Sequence, residues 1–144
     1  THNLLRPEVI EITKSCAFGF ITDFISSNTP CELISVMKPN AQLFVIRGNN
    51  DKEWAENLPV SLEFELGGLK FFLTHNRKDI PQDIKADIII FGHSHKYCEE
   101  NIGGQLWLNP GSCGRKRFNL PITMAVMNVN DNEYSIEKIE LEGE

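Results

Sequence analysis

Two histidines one residue apart follow a short, strongly apolar stretch in the middle of the chain. The stretch IIIF, residues 88–91, is bulky and rich in β-branched side chains, which is typical of a buried strand. Gly92 follows it and is free to turn at positive φ. His93 and His95 are therefore expected in a loop at the carboxyl end of a strand, where α/β sheets commonly place their chemistry. In extended backbone their side chains point the same way, so they can address one site or two neighbouring sites.

Three other predicted strands also end in polar residues. QLFVI leads into GNND at residues 48–51, FFLT leads into His75, and LWL leads into NPGS at residues 109–112. A single histidine or turn of this kind is more often structural than functional. The chain has only four histidines, however, and His2 would join the other three from the amino terminus. Imidazole suits Zn, Mn, Fe and Ni, so the set favours a metal site.

Length and composition indicate one globular domain spanning residues 1–144. Its 41% hydrophobic and 24% charged residues are typical of soluble folded proteins. The formal net charge of −6 argues against non-specific binding to nucleic acid. No apolar stretch approaches the ~20 residues of a membrane helix, and no signal peptide is apparent. The four cysteines form no CxxC pair, so a reducing, cytoplasmic location is the expectation.

Sequence patterns predict helices first and hairpins later. Helices are expected at residues 6–15 and 28–38, and strands at residues 16–27 and 42–46. After residue 61, three hairpins are predicted, which turn at residues 67–68, at residues 103–104 and near residues 131–132. The mixture predicts an α/β fold in which two sheets pack together with helices outside.

The motifs GNND, a lone histidine after an apolar strand, GHSH and NPGS occur in an order and spacing that resembles the calcineurin-like metallophosphoesterases. The small bacterial and archaeal phosphodiesterases of the YfcE type are the most similar. The resemblance implies a four-layer αββα sandwich of the metallophosphoesterase type, with two metal ions on one edge. The opening THNLLRPEV resembles the family's DTHG motif. It implies that the family's first strand and its metal-ligand aspartate are missing, so that the single domain is amino-terminally incomplete.

The resemblance also implies roles for individual residues. Five residues would bind metal: Asn49, His75 and His93 at the second ion, and His2 and His95 at the first. Asn50 and Asp51 would be catalytic, while Asn109, Gly111 and Ser112 would shape the substrate-binding wall. Ser26 stands where the family carries an aspartate that bridges both ions, and Asp23 is the candidate substitute for that bridge.

The activity implied is hydrolysis of small phosphodiesters, or phosphomonoesters, by a hydroxide that two divalent metal ions activate. Mn²⁺ is the first choice of ion, with Ni, Fe, Zn and Mg as alternatives. The expected partner is a phosphate-ester small molecule, with no membrane and no strong nucleic-acid signal, and a homo-oligomer is compatible with the sequence. The alternative is a catalytically degenerate member of the fold that acts as a scaffold or interaction module.

Overall fold

A computed structural model describes residues 9, 11, 12, 14, 16, 18–21, 37, 38, 41–48, 56–113 and 119–142. Within these residues the strands are β1 (Phe18–Ile21), β2 (Gln42–Val45), β3 (Ser61–Leu66), β4 (Leu69–Thr74), β5 (Ile88–Ile90), β6 (Cys98–Ile102), β7 (Gln105–Asn109), β8 (Ile122–Asn130) and β9 (Glu133–Leu141). Helical structure among the described residues comprises Val9, Glu11 and Ile12 and a 3-10 turn at Arg77–Asp79. No helix in the described part of the chain is long and apolar enough to cross a membrane.

The strands form three sheets. A five-stranded sheet has the order β3-β4-β5-β7-β6, while β1 pairs with β2 in parallel and β8 pairs with β9 as a hairpin. In the large sheet the three inner strands β4, β5 and β7 run parallel, and the two outer strands are antiparallel to their neighbours. Parallel strands end on the same edge of a sheet. The carboxyl ends of β4, β5 and β7 therefore meet at one edge of the sheet, the carboxyl edge.

Apolar side chains cover both faces of the large sheet. One face carries a buried cluster that includes Phe71, Leu73, Ile88 and Ile90, against which the half-buried side chains of β2, β8 and β9 pack. The other face carries a second cluster around Phe72, Ile89 and Phe91. Because both faces are covered, residues 71–73 of β4 and all of β5 form continuous apolar runs rather than alternating patterns. This double burial fixes the strand ends that carry the polar loops.

The three predicted hairpins are confirmed. Their turns lie at Gly67-Gly68, Gly103-Gly104 and Asp131-Asn132, and all of these residues have positive φ. The predicted strand at residues 42–46 is confirmed as β2, and β1 lies inside the predicted strand at residues 16–27, of which residues 22–27 are outside the described residues. Most of the predicted helix at residues 28–38 also lies outside them.

Candidate functional site

His75 and His93 meet at the carboxyl edge. His75 directly follows β4 and is 7% exposed, whereas His93 follows β5 and is exposed. His75 Nε2 lies 3.2 Å from His93 Nδ1, and the two rings are close to perpendicular. The backbone supports this approach, because the Gly92 amide donates to the His75 carbonyl at 2.8 Å. The parallel pairing of β4 with β5 thus brings together two imidazoles that are 18 residues apart in sequence.

The backbone of the loop that carries His93 and His95 is left-handed at both histidines. Their φ angles are 71° and 61°, and the Ser94 amide donates to the Gly92 carbonyl at 2.9 Å. Gly92 itself does not have positive φ. The expectations of an extended HxH segment and of positive φ at Gly92 are therefore wrong. The short turn closed by the Ser94–Gly92 hydrogen bond lies in the loop between β5 and β6, and His93 Nδ1 lies within hydrogen-bond distance of His75 Nε2.

Asn109 ties this loop to the end of β7. Its side chain is fully buried, and its amide nitrogen donates to the Gly92 carbonyl and to Ser94 Oγ, each at 3.1 Å. Its amide oxygen accepts a hydrogen bond from the Gly111 amide at 2.9 Å. All three bonds fit one orientation of the amide group. Asn109 therefore connects the loop after β5 with the turn after β7.

Residues of β8 pack against the turn that follows β7 and form hydrogen bonds with it. Gly111 has φ of 80°, and a β-carbon there would overlap the Thr123 hydroxyl. Thr123 is 2% exposed, its Oγ1 donates to the Pro110 carbonyl at 2.9 Å, and its amide donates to the Ser112 carbonyl at 3.0 Å. The absence of a side chain at Gly111 lets β8 approach the turn closely. The β8–β9 hairpin is thereby coupled to the carboxyl edge.

We expect Thr123→Val to lower the free energy of unfolding by about 1–3 kcal/mol. Valine keeps the shape of threonine but cannot donate, so the Pro110 carbonyl loses this buried hydrogen bond. Urea unfolding followed by circular dichroism measures the change. Thr123→Ser, which keeps the hydroxyl, is the control and should lose less than the valine variant. No loss in the valine variant, with a loss in the serine variant, would show that the methyl group, and not the hydrogen bond, stabilises the turn.

The described residues include six of the residues singled out from the sequence: His75, His93, His95, Asn109, Gly111 and Ser112. His75, His93 and the loop held by Asn109 are brought together, and Gly111 and Ser112 lie in the adjoining turn. The remaining candidates, His2, Asp23, Asn49, Asn50 and Asp51, lie outside the described residues, as does Ser26.

Two residues of this edge were not predicted from the sequence. Ser94 accepts hydrogen bonds from Asn109 and from the Lys96 amide, and Thr123 fixes the turn after β7. The position of Ser94 between two candidate histidines was a usable signal. Nothing in the sequence near Thr123 indicates its contact, because that contact depends on how β8 packs against the turn.

The spacing of His75 and His93 fits a shared metal ion. Two nitrogen ligands that are each about 2.1 Å from one ion and subtend about 100° lie roughly 3.2 Å apart, and the observed separation is 3.2 Å. Without metal the same distance allows a hydrogen bond in which one ring donates to the other. Among the described residues, no third His, Cys, Asp or Glu joins them in a potential metal-binding set.

A groove of about 450 Å³ opens beside His93 and is lined by charged and aromatic side chains. Among the lining residues, Arg77 pairs with Glu100, with guanidinium nitrogens 3.1 and 3.4 Å from the two carboxylate oxygens. The Arg77 guanidinium lies 5.4 Å from the centre of the Phe91 ring and 5.1 Å from that of Trp107. The ion pair raises the pKa of Arg77 and lowers the pKa of Glu100 through their shared hydrogen bonds.

Two other ionisable groups of the groove stay protonated at neutral pH. Burial, helped by the hydrogen bond from its Sγ to Glu100, raises the pKa of the Cys98 thiol. Burial is also the largest cause that raises the pKa of Tyr97 to about 12, and its hydroxyl donates to Glu99 at 3.0 Å. A protonated thiol is a weak nucleophile and a protonated phenol is not a base. Neither side chain is suited to activate a water molecule.

Comparisons with known proteins show the family from sequence and the fold from structure. A sequence profile of the calcineurin-like phosphoesterase superfamily domain matches residues 1–132. A phosphodiesterase of Methanocaldococcus jannaschii is 30% identical over 112 residues, which is 66% of this chain and 67% of that protein. A solved archaeal phosphodiesterase superposes with a TM-score of 0.69 at 24% identity, over 93% of this chain and 90% of that one. Zinc-bound Vps29 from Entamoeba histolytica superposes with a TM-score of 0.75 at 18% identity, over 97% and 92% of the two chains. The α/β metallophosphoesterase fold is confirmed.

Proposed function

Because the chain belongs to the calcineurin-like phosphoesterase superfamily, we propose that it is a metal-dependent phosphodiesterase that acts at the carboxyl edge. The observation that carries the proposal is the 3.2 Å approach of His75 Nε2 and His93 Nδ1 at the ends of two parallel strands. The family and the phosphodiesterase relative support hydrolysis of a phosphate ester as the type of reaction. The substrate proposed is a small phosphodiester, with phosphomonoesters as the secondary class.

The proposed metal ligands of the second ion are His75, His93 and Asn49, while His2 and His95 would serve the first ion. Divalent ions at such a site lower the pKa of water and neutralise charge on phosphoryl oxygens. Mn²⁺ is the ion we propose first, because imidazole and amide oxygen are both acceptable to it. The dinuclear arrangement and the identity of the metal are part of the proposal.

The chain's own residues have separate tasks in this proposal. His75 is buried, so the packing around it restricts its ring. His93 is exposed, and Asn109 fixes the loop that carries it. The turn at Asn109, Gly111 and Ser112 forms a wall on the same edge, where a phosphoryl oxygen would approach backbone amides. Asn50 can donate a hydrogen bond to a departing alkoxide, although an amide cannot protonate it. Asp51 would act from outside the metal ligands.

The test is a metal titration of the purified, chelator-treated chain together with hydrolysis of bis(4-nitrophenyl) phosphate. We expect activity to depend on added Mn²⁺ and to disappear with chelator. His75→Gln should weaken metal affinity by more than about 100-fold, because even residues that only support a ligand cost 10–100-fold when changed. Calorimetry and elemental analysis measure the affinity and the number of ions per chain.

Lys78→Gln is the matched control, because Lys78 is exposed and lies three residues after His75. It should bind metal as the unaltered chain does. Two ions per chain with metal-dependent hydrolysis support the enzyme. One ion or none, without hydrolysis, would instead support the catalytically degenerate scaffold. The location in the cytoplasm, the single domain over residues 1–144 and any homo-oligomer remain predictions.

A further inference from the structure

The Arg77 guanidinium is held in place by more than its ion pair. It lies over the Phe91 and Trp107 rings at 5.4 and 5.1 Å, and Phe91 is 4% exposed. The backbone at this point is also fixed, because Asn76 caps the 3-10 turn that carries Arg77. An arginine stacked on aromatic rings keeps its planar fork oriented when a carboxylate partner leaves. Arg77 is therefore a preorganised receptor for an anionic group.

Glu100, the present partner of Arg77, is held at the surface by this ion pair and by the hydrogen bond from Cys98 Sγ. The two side chains are 43% and 44% exposed, and such ion pairs contribute little because water screens them and both side chains lose freedom. Glu100 lies on β6, an outer strand of the large sheet, and no cluster of buried side chains includes it. A carboxylate or phosphate from a ligand could replace it with the same two-pronged geometry.

The Arg77–Glu100 pair shares one cavity with the carboxyl edge. Gly92, His93 and Ser94 line the groove together with Arg77 and Glu100, and its volume of about 450 Å³ lies in the ~300–1,000 Å³ range of small-molecule sites. A molecule bound through its phosphorus next to His93 can therefore extend one ester arm along the groove. Lys96 and Glu99 also line it, so the groove carries two charges of each sign.

We propose that this groove selects phosphodiesters in which one ester arm carries a second anionic group, which Arg77 binds in exchange for Glu100. The inference rests on the proposed function, because it places the phosphodiester itself beside His93. Glu100 then acts as an internal stand-in for the ligand's anionic group, and it keeps Arg77 paired when no substrate is present. Substrates without that group gain nothing from Arg77.

Two substrates that differ only in charge test the proposal. One is 4-carboxyphenyl 4-nitrophenyl phosphate, and the other carries a carbamoyl group in place of the carboxylate. Both release 4-nitrophenolate, so the ratio of their kcat/KM values reports recognition of the charge alone. We expect the unaltered chain with Mn²⁺ to prefer the carboxylate substrate by about tenfold, the effect of one hydrogen-bonded charge pair.

Variants of the pair should move this ratio in opposite directions. Arg77→Gln should reduce it to about one, whereas Glu100→Gln should raise it by about threefold because the internal competitor is removed. Lys78→Gln is the matched control. Lys78 is the next residue after Arg77 and carries the same charge, but its side chain does not line the groove. Its ratio should equal that of the unaltered chain. A ratio near one in the unaltered chain, or equal effects of Arg77→Gln and Lys78→Gln, would overturn the inference.

A binding measurement separates failure of the inference from failure of the proposed function. Calorimetry with 4-carboxybenzylphosphonate and its carbamoyl analogue requires no hydrolysis, because neither has a cleavable ester. Tighter binding of the carboxylate probe that is lost in Arg77→Gln supports the subsite, even if no ester is hydrolysed. Hydrolysis of both esters with equal binding of the two probes would leave the phosphodiesterase standing and refute the subsite.

Discussion

His93→Ala should abolish metal-dependent phosphodiester hydrolysis, with a loss of at least about 1,000-fold in kcat/KM. The reason is the place of His93 at the carboxyl edge, where its Nδ1 lies 3.2 Å from His75 Nε2. An alanine removes one of the two imidazoles that fit a common ion. Initial rates of bis(4-nitrophenyl) phosphate hydrolysis over a range of Mn²⁺ concentrations measure the loss.

The same variant should fold normally. His93 is exposed and contributes nothing to either buried cluster, so the free energy of unfolding should change by less than about 1 kcal/mol. Alanine retains the β-carbon, so the left-handed backbone is strained to a similar extent in both chains. Thermal unfolding by circular dichroism checks this point. If purified His93→Ala still hydrolyses the diester at the original rate, the activity belongs to another protein in the preparation or to another site.

Asn109→Ala should lower the free energy of unfolding by about 2–4 kcal/mol and weaken metal binding as well. Asn109 is fully buried, and the variant leaves the Gly111 amide without this acceptor and a small cavity behind it. The link to Gly92 and Ser94 disappears too, so the loop that carries His93 is no longer fixed to β7. Urea unfolding and metal calorimetry measure the two effects separately.

Two further variants define the role of Asn109. Asn109→Asp keeps the shape and the acceptor for Gly111 but turns a carboxylate oxygen toward the Gly92 carbonyl, so it should destabilise the chain at least as much as alanine. Asn128→Ala, at an exposed asparagine on β8, is the control and should change stability by less than about 0.5 kcal/mol. Unchanged metal affinity in a folded Asn109→Ala chain would show that Asn109 stabilises the fold without positioning His93.

The features that were predicted correctly depend on residues that are neighbours in the sequence. The three hairpins are each encoded by a two-residue turn of Gly, Asp or Asn that tolerates positive φ, between strands that are adjacent in sequence. The burial of β5 follows equally from its run of three isoleucines. For the site, the positions of His75 and His93 after strands were predictable because both follow apolar runs.

The remaining features depend on contacts that are distant in sequence. Whether His75 faces His93 depends on the parallel register of β4 and β5, in which Leu73 lies beside Ile90. A sequence pattern does not contain that register. The left-handed backbone at His93 and His95 was not predicted, because it results from the hydrogen bonds of Asn109 and Ser94 across the edge. The proximity of Arg77 and Glu100 likewise follows from the order of strands in the sheet.

Under the proposed function, the left-handed backbone at His93 and His95 implies that stability is lost in favour of activity. Each non-glycine residue in this conformation costs about 1–2 kcal/mol, whereas glycine would occupy it without that cost. A chain optimised only for thermal stability would therefore carry glycine at both positions. The two imidazoles therefore lie at positions whose backbone conformation disfavours any residue with a β-carbon. Under the proposed function, engineering this protein for heat resistance by relieving local strain would remove two proposed metal ligands first.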